Sequence, residues 1–215
     1  HRIEKENEIK IADKAFETLF ALFEKYSWHL DDSPGGKDDE INPAVLGYIF
    51  EKYINQKEFG AYYTRTEMTD YLAERTIHKA LLQKIKEKNP QIKAETLSEV
   101  LMKLDDTLAL LLIKEILPVF SVLDPACGSG AFLVAAMKIL IDIYSAVVGK
   151  IKLSKNTELK NWLSAIEKDH PSLLYFIKKK IITDNVYGVD IMEEAVEIAR
   201  LRLFLTLAAS ANTLE

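Results

Sequence analysis

This sequence has few of the residues that mark metal centres and disulfide frameworks. It contains one cysteine, Cys127, and four histidines, at positions 1, 29, 78 and 170, which form no recognisable set of metal ligands. A single cysteine also excludes an intramolecular disulfide framework and favours an intracellular setting. No apolar run is expected to be long enough for a membrane span, and the N-terminus is charged. We therefore expect a soluble, cytoplasmic protein with no bound metal and no membrane contact.

The size and charge of the chain limit its possible roles. Its 215 residues, 48% of them hydrophobic, suffice for one large domain or for one domain with a smaller helical extension. The net charge of -5 is unfavourable for a surface that holds a phosphate backbone, so nucleic-acid contacts are expected mostly outside this chain. Because it starts at His1 without a methionine and ends in Leu214-Glu215, we also expect an excised piece of a longer protein.

The most informative stretch is residues 119–148, in which two apolar runs flank a pair of glycines. Residues 119–123 are largely β-branched or aromatic, which indicates a short buried strand. Residues 131–148 show no period-two alternation, which indicates a buried helix. Between them, Gly128 and Gly130 allow backbone N–H groups to come close to a ligand. The sequence therefore predicts a strand, a tight turn and a helix whose N-terminus faces a ligand.

Asp124 closes the predicted strand and decides which ligand suits the turn. A carboxylate beside the ligand disfavours a pyrophosphate and suits a positively charged group. The turn also lacks the Gly-Lys-Ser/Thr of a P-loop. We therefore expect a ligand with positive charge near Asp124.

Residues 124–133, DPACGSGAFL, resemble motif I of the adenine-specific DNA methyltransferases. That family binds S-adenosylmethionine and transfers its methyl group to the exocyclic amino group of adenine. The resemblance implies an α/β, Rossmann-like S-adenosylmethionine-dependent methyltransferase fold, here with a truncated parallel sheet and an N-terminal helical domain. It also implies cofactor contacts from eight residues of the motif: Asp124, Pro125, Ala126, Cys127, Gly128, Ser129, Gly130 and Phe132. A glycine turn in some other α/β protein is the alternative interpretation of this motif.

A second segment, Gly60-Ala61-Tyr62-Tyr63-Thr64, resembles motif X of the same methyltransferases. Taken alone, it is typical of a loop whose tyrosines anchor it to the core. In the family it covers the methionine end of the cofactor, which implies cofactor contacts from Tyr62, Tyr63 and Thr64. Aromatic faces suit a sulfonium, and a threonine at a helix start suits a carboxylate. The position of this segment before motif I matches the order of the gamma class.

Residues 185–191 are predicted to form a second strand that ends on an acidic residue, Asp190. In the methyltransferase interpretation Asp190 resembles the motif II carboxylate, which accepts both ribose hydroxyls, while Ile191 packs on the adenine. Asp190 is also placed to cap the next helix, over residues 192–207, and both roles are open. Asp190 follows Gly130 by 60 residues, whereas a compact nucleotide-binding unit needs about 20. Residues 150–183 therefore predict a helical insertion.

The remaining segments are predicted to be packing helices. Helices are expected over residues 3–26, from Asn42-Pro43 onward, and over residues 80–117 with a break at Asn89-Pro90. Thr64 and Glu67 fit a capping box that would start a further helix at Thr64.

Three charged groups are expected to be solvated rather than functional. Residues 31–40 are acidic but lack the spacing of a calcium loop, so an exposed loop is the preferred interpretation. Lysines 178–180 could touch a phosphate backbone, although a solvated helix end is preferred. Arg200 and Arg202 are expected on the surface of the last helix.

We expect two domains, a helical one over residues 1–117 with the cofactor lid at 59–65, and a partial methyltransferase domain over 118–215. The catalytic loop of the family, Asn/Asp-Pro-Pro-Tyr/Phe, is missing from the sequence. Asn42-Pro43 and Asn89-Pro90 precede motif I and lack the second proline. Cys127 is not a candidate nucleophile, because methylation at a cytosine ring carbon uses a cysteine in a different motif. No catalytic residue is therefore assigned, and the chain is expected to be inactive by itself.

The resemblance implies the cofactor-binding half of a larger enzyme. The best match is a type IIG restriction-modification polypeptide, in which nuclease, helical connector, methyltransferase and target-recognition domain are fused. A free-standing or type I modification subunit, working with a specificity subunit, is also open. Double-stranded DNA is the implied partner, bound mainly through parts outside this chain. Two rival hypotheses remain: a methyltransferase that acts on protein glutamine or RNA, and a non-enzymatic helical module that serves assembly.

Overall fold

The computed structural model describes residues 12–28, 40–41, 44–52, 64–170, 172–208 and 210. By their internal contacts, two units separate along the chain, His1–Pro43 and Ala44–Glu215. The helices between residue 44 and the glycine turn thus belong to the same unit as the turn, and the division falls at residue 43.

The first unit has one helix and one pair of strands among its described residues. Helix α1 spans Asp13–Phe23, strand β1 spans Ser27–Trp28 and strand β2 spans Glu40–Ile41. The two strands pair in parallel. The helix predicted over residues 3–26 is confirmed for its described part, and residues 31–39 of the acidic stretch lie outside the described residues.

The second unit contains eight α-helices and two strands in the part of the chain that the structure describes. The helices are α2 (Ala44–Phe50), α3 (Thr66–Lys88), α4 (Leu97–Met102), α5 (Asp106–Leu111), α6 (Ala131–Leu153), α7 (Thr157–Asp169), α8 (Leu173–Lys180) and α9 (Glu193–Ala208). The strands are β3 (Val122–Asp124) and β4 (Val186–Gly188). A π-helical turn precedes each strand, Leu112–Ile116 after α5 and Ile181–Asn185 after α8, and a 3-10 turn, Leu117–Val119, leads towards β3.

Helix α6 is the central element of this unit, and α3, α7 and α8 all pack against it. By length and composition alone it could cross a membrane, so the expectation that no apolar run reaches that length is wrong. Its apolar character has a different cause, because its side chains fill the core: Leu140, Tyr144, Val147 and Ile151 are at most 1% exposed. Each such aliphatic side chain contributes about 1.5–3 kcal/mol on burial.

The helical insertion is confirmed, and it completes the core around α6. Helices α7 and α8 occupy most of the segment between α6 and β4. Four of their apolar residues and one of the following turn are buried: Leu159, Leu163, Ile166, Ile177 and Ile181. Because these residues belong to the core, the insertion is a packed part of the unit.

Strands β3 and β4 form a two-stranded parallel sheet, with Val122 opposite Val186 and Asp124 opposite Gly188. Backbone hydrogen bonds continue beyond the strand ends, from Val189 N to Asp124 O at 2.9 Å and from Cys127 N to Val189 O at 3.0 Å. The strands are shorter than predicted, because the 3-10 and π-helical turns take up the residues before them. The expected α/β character is thus present as a small parallel sheet within a largely helical unit.

A buried asparagine fastens the two strands at their N-terminal ends. Asn185, which directly precedes β4, is fully buried. Its Nδ2 donates to the carbonyl oxygens of Leu117 at 2.8 Å and Phe120 at 2.6 Å, and its Oδ1 accepts from Tyr144 Oη at 3.2 Å. Burial raises the pKa of Tyr144 far above its usual value, which keeps the phenol protonated as a donor. One side chain therefore connects the approach to β3, the start of β4 and helix α6.

Two local predictions are wrong. Thr64 does not cap α3, because the helix begins at Thr66 and Arg65 takes the N-cap position without a side-chain hydrogen bond. Lys178 is not at a solvated helix end, since it is buried and its Nζ donates to Thr206 O at 2.8 Å in the last turn of α9. A cation is favourable at a helix C-terminus, although burial lowers the pKa of Lys178.

The asparagine connection can be tested by unfolding measurements. We expect Asn185→Ala to lower the free energy of unfolding by about 2–4 kcal/mol, because it leaves two carbonyl oxygens and a phenol buried without their partner. The matched control is Asn161→Ala on the exposed side of α7, with a change within about 0.5 kcal/mol. Urea denaturation of both variants makes the comparison. Equal losses in the two variants would contradict the assigned role of Asn185.

Candidate functional site

The glycine turn lies between β3 and α6 and is pressed against α9. Gly128 and Gly130 both adopt positive φ, +50° and +85°. A Cβ at Gly130 would lie 2.9 Å from the Cβ of Ala199 in α9. Any larger residue at position 130 would therefore strain the backbone and push the turn away from α9.

The carboxylates of Asp124 and Asp190 lie at the same edge of the sheet, one at the carboxyl end of each parallel strand. Asp124 Oδ1 accepts from Ala126 N at 3.2 Å, and Asp190 Oδ2 accepts from Gly128 N at 2.8 Å. These are the two acidic residues that were expected to close the two predicted strands. Asp124 Oδ2 is buried and receives no hydrogen bond from any described residue. A buried carboxylate oxygen of this kind is suited to a cationic or hydrogen-bonding ligand.

Asp190 makes a local backbone contact at the approach to α9, which is one of the two roles that the sequence left open. Its Oδ1 accepts from Met192 N at 2.9 Å, just before α9, so it orders the approach to that helix. Each carboxylate oxygen has a second acceptor position, so these backbone bonds leave capacity for a pair of hydroxyl groups. Ile191 follows with 99% of its surface exposed. An apolar side chain in this position is available to cover a flat ring.

A cleft of about 230 Å³ brings three of the predicted residues together: Asp124, Pro125 and Phe132. Residues of α3, among them Leu72 and Thr76, form its other wall. Thr64 lies half-buried two residues before α3, whereas Tyr62 and Tyr63 lie outside the described residues.

A larger cleft lies away from these carboxylates. It has a volume of about 510 Å³ and is lined by residues that include Trp162, Lys114 and Lys180. Its two lysines pair with Glu158 and Asp184. Their charge is thus already compensated, and this cleft shows no chemistry of its own.

Cys127 lies next to Gly188 of β4 and lines a cleft of about 350 Å³. It is buried, and its Sγ lies 2.9 Å from where a Cβ on Gly188 would be. Burial raises the pKa of the Cys127 thiol, and the negative charges of Asp124 and Asp190 raise it further. The pKa shift thus has the direction expected for a thiol placed near both carboxylates.

Ser129 faces the protein interior. It is buried, its Oγ donates to Glu51 Oε1 at 2.5 Å, and its carbonyl oxygen accepts from Arg202 Nη1 at 2.7 Å. A contact of Ser129 with a ligand would therefore come from its backbone. Ala126 is exposed at the surface of the same turn.

Sequence reasoning missed Glu51 and misplaced Arg202, which is 3% exposed rather than on the surface. Two signals could have found them. Arg202 lies in the core-facing stripe of α9, in helical register with Ala195, Ala199 and Thr206, all of them buried. Gly47 lies inside helix α2, where a glycine often marks a close approach of another group.

Comparisons with known proteins point to DNA methyltransferases of restriction-modification systems. Residues 99–214 match the family model described as MmeI, DNA-methyltransferase domain. A protein of Methanocaldococcus jannaschii that carries the name type II restriction enzyme and methyltransferase is 38% identical over 202 residues, which is 86% of this chain and 16% of that protein. No solved structure matches the chain.

The chain therefore belongs to the MmeI DNA-methyltransferase domain family. Both matches confirm the resemblance to methyltransferases of restriction-modification systems that the glycine turn indicated. The chain spans 16% of the length of the relative from Methanocaldococcus jannaschii.

The only thiol of the chain provides a test of the carboxylate arrangement. We expect Cys127 to react slowly with a disulfide reagent at pH 8. The midpoint, the pH at which its reaction rate reaches half of the maximum, should lie above that of an ordinary cysteine, because its pKa is raised. Asp124→Asn and Asp190→Asn should each lower the midpoint and accelerate the reaction several-fold, because a negative charge that disfavours the thiolate is removed. The measurement is the rate of thiol modification as a function of pH.

The control for this measurement is Asp142→Asn, on the exposed side of α6. It should leave the rate and the midpoint unchanged. If the two site variants also behave like wild type, the carboxylates do not flank the thiol as described.

Proposed function

We propose that this chain is the cofactor-binding part of a DNA adenine methyltransferase of a type II restriction-modification enzyme, with a Rossmann-like methyltransferase fold. The observation that carries the proposal is the meeting of Asp124 and Asp190 at one sheet edge, around a turn with two glycines at positive φ. Family membership supports the methyltransferase class, and the resemblance of residues 124–133 to motif I supports adenine as the target.

The residues present fit S-adenosylmethionine, which would supply a methyl group on a positively charged sulfur. Asp124 would hold the charged end, because its Oδ2 is buried and receives no hydrogen bond from the described residues. The proposed lid residues, Tyr62, Tyr63 and Thr64, would cover this end, where aromatic faces favour a cation. The exposed Pro125 and half-buried Phe132 would line the cleft beside it.

The nucleoside end would lie at β4. Asp190 would accept the two ribose hydroxyls through the second acceptor position of each oxygen. Ile191, which is almost fully exposed, would pack on the adenine ring. Gly128 and Gly130, with Ala126, Cys127 and Ser129, would contribute close backbone approach rather than side-chain contacts.

The other parts of the enzyme would lie elsewhere in the parent protein. We propose a cytoplasmic type IIG polypeptide, because the relative from Methanocaldococcus jannaschii is named as both restriction enzyme and methyltransferase and is several times longer than the matched segment. Double-stranded DNA would be the substrate, and the net charge of -5 supports contact mainly through those other parts.

Cofactor binding tests this proposal directly. We expect the chain to bind S-adenosylmethionine in calorimetry. Asp124→Ala and Asp190→Ala should each weaken binding roughly 10- to 100-fold, the usual effect of removing a charged hydrogen-bond acceptor. Asp142→Ala is the matched surface control and should bind like wild type. A folded wild-type chain that shows no binding would instead favour the assembly module.

A second expectation concerns transfer. The Asn/Asp-Pro-Pro-Tyr/Phe loop is missing from the sequence, so the chain alone should transfer no methyl group to DNA. The DNA substrate should contain adenine in all possible short flanking sequences, so that no target sequence is left out. Incorporation of radioactive methyl from S-adenosylmethionine is the measurement. Transfer above the level of an Asp190→Ala control would contradict the assignment of no catalytic residue.

A further inference from the structure

Three buried polar residues join helix α2, the glycine turn and helix α9. Glu51 is 8% exposed, Ser129 1% and Arg202 3%. Ser129 Oγ donates to Glu51 Oε1 at 2.5 Å, while Arg202 Nη1 donates to Ser129 O at 2.7 Å and to Ser129 Oγ at 3.3 Å. The hydroxyl therefore accepts from a cation and donates to an anion, which fixes its direction. We call this set of contacts the Glu51–Ser129–Arg202 link.

Packing alone does not account for this link. Burying a carboxylate and a guanidinium costs free energy that apolar residues of similar volume would not cost. Glu51 Oε2 is buried and has no hydrogen bond from any described residue, whereas Oε1 accepts from Ser129 Oγ. Buried charges joined by a short hydrogen bond specify position more strictly than apolar contacts, because their geometry is directional.

The backbone of α2 lies very close to the side chains of this link. A Cβ on Gly47 would lie 2.5 Å from Arg202 Nη1 and 2.9 Å from Ser129 Oγ. Glycine at position 47 therefore makes the approach possible, and α9 packs against α2. The contact between α2 and the turn is thus built from both the backbone and the side chains.

The location of Glu51 along the chain gives the link its significance. Glu51 directly follows α2 and comes just before residues 53–63, the segment that holds the proposed lid residues Tyr62 and Tyr63. After that segment, α3 is anchored in the core by Ile77 and Leu81. The link therefore fastens the residue that follows α2 to the same turn that would hold the cofactor.

We propose that Glu51, Ser129 and Arg202 are positioning residues, which hold the glycine turn against α2 and α9 in the one arrangement that cofactor affinity requires. This inference rests on the proposed function. The link acts through the backbone of residues 128–130, and none of its three side chains needs to touch the cofactor.

The test uses the full chain and three readouts: S-adenosylhomocysteine affinity by calorimetry, the rate of Cys127 modification, and the unfolding temperature. We expect Ser129→Ala and Arg202→Met to weaken binding roughly tenfold or more, because each removes a hydrogen bond to a charged group. Both variants should also accelerate modification of Cys127 several-fold, since the adjacent turn is no longer held. Arg202→Lys should bind more tightly than Arg202→Met but less tightly than wild type, because lysine keeps the positive charge but lacks the planar set of N–H donors of a guanidinium.

The matched control is Arg200→Met, an exposed arginine of the same helix that pairs with Glu197. It should leave affinity and thiol rate unchanged. Glu51→Gln is the milder variant if the others fail to fold, because glutamine keeps an acceptor for Ser129 and loses only the charge. The double variant Glu51→Gln, Ser129→Ala should be little worse than Ser129→Ala, as is typical of residues that act as one unit.

The outcomes separate this inference from the proposed function. Absence of binding by the wild-type chain would defeat the proposed function, and the thiol rate would still test the link. Folded variants with a lower unfolding temperature but wild-type affinity and wild-type thiol rate would show a merely structural role and overturn the inference.

Discussion

The positions of Asp124 and Asp190 depend on the parallel pairing of β3 with β4. Asn185 holds the pair at one end, and the backbone bonds through Val189 continue it to the glycine turn at the other. Successive side chains of a strand point to opposite faces, so a slip of one residue would turn Asp124 away from Asp190. Fixed at both ends, the sheet keeps the two carboxylates on one edge despite having only two described strands in this unit.

The elements that could be predicted from sequence are those whose causes are local. The strand, the glycine turn and the helix after it follow from residue types that are adjacent in the chain, and parallel strands bring Asp124 and Asp190 to one edge. Arg202 and Lys178 were misplaced because charged residues are mostly exposed in proteins, and the partners that accept their hydrogen bonds lie 73 and 28 residues away in the sequence. For Arg202, the helical register with the buried Ala195 and Ala199 was the one local signal against that expectation.

A sequence motif also leaves side-chain direction undetermined. Asp124 and Ser129 belong to the same ten residues, yet one lines the cleft beside α3 and the other points at Glu51. Gly128 lies between these two residues, and its positive φ turns the chain there. The part of the motif that faces inward thus connects the turn to α2 and α9, while the part that faces outward is available to a ligand.

The insertion between α6 and β4 affects more than the spacing of two acidic residues. Leu159 and Ile181 are fully buried, and they shield a helix as apolar as a membrane span from water. If this segment were shortened to the length found in a minimal nucleotide-binding fold, one side of helix α6 would be exposed to water. Large uncovered apolar surfaces cause chains to associate, so the shortened protein is expected to aggregate.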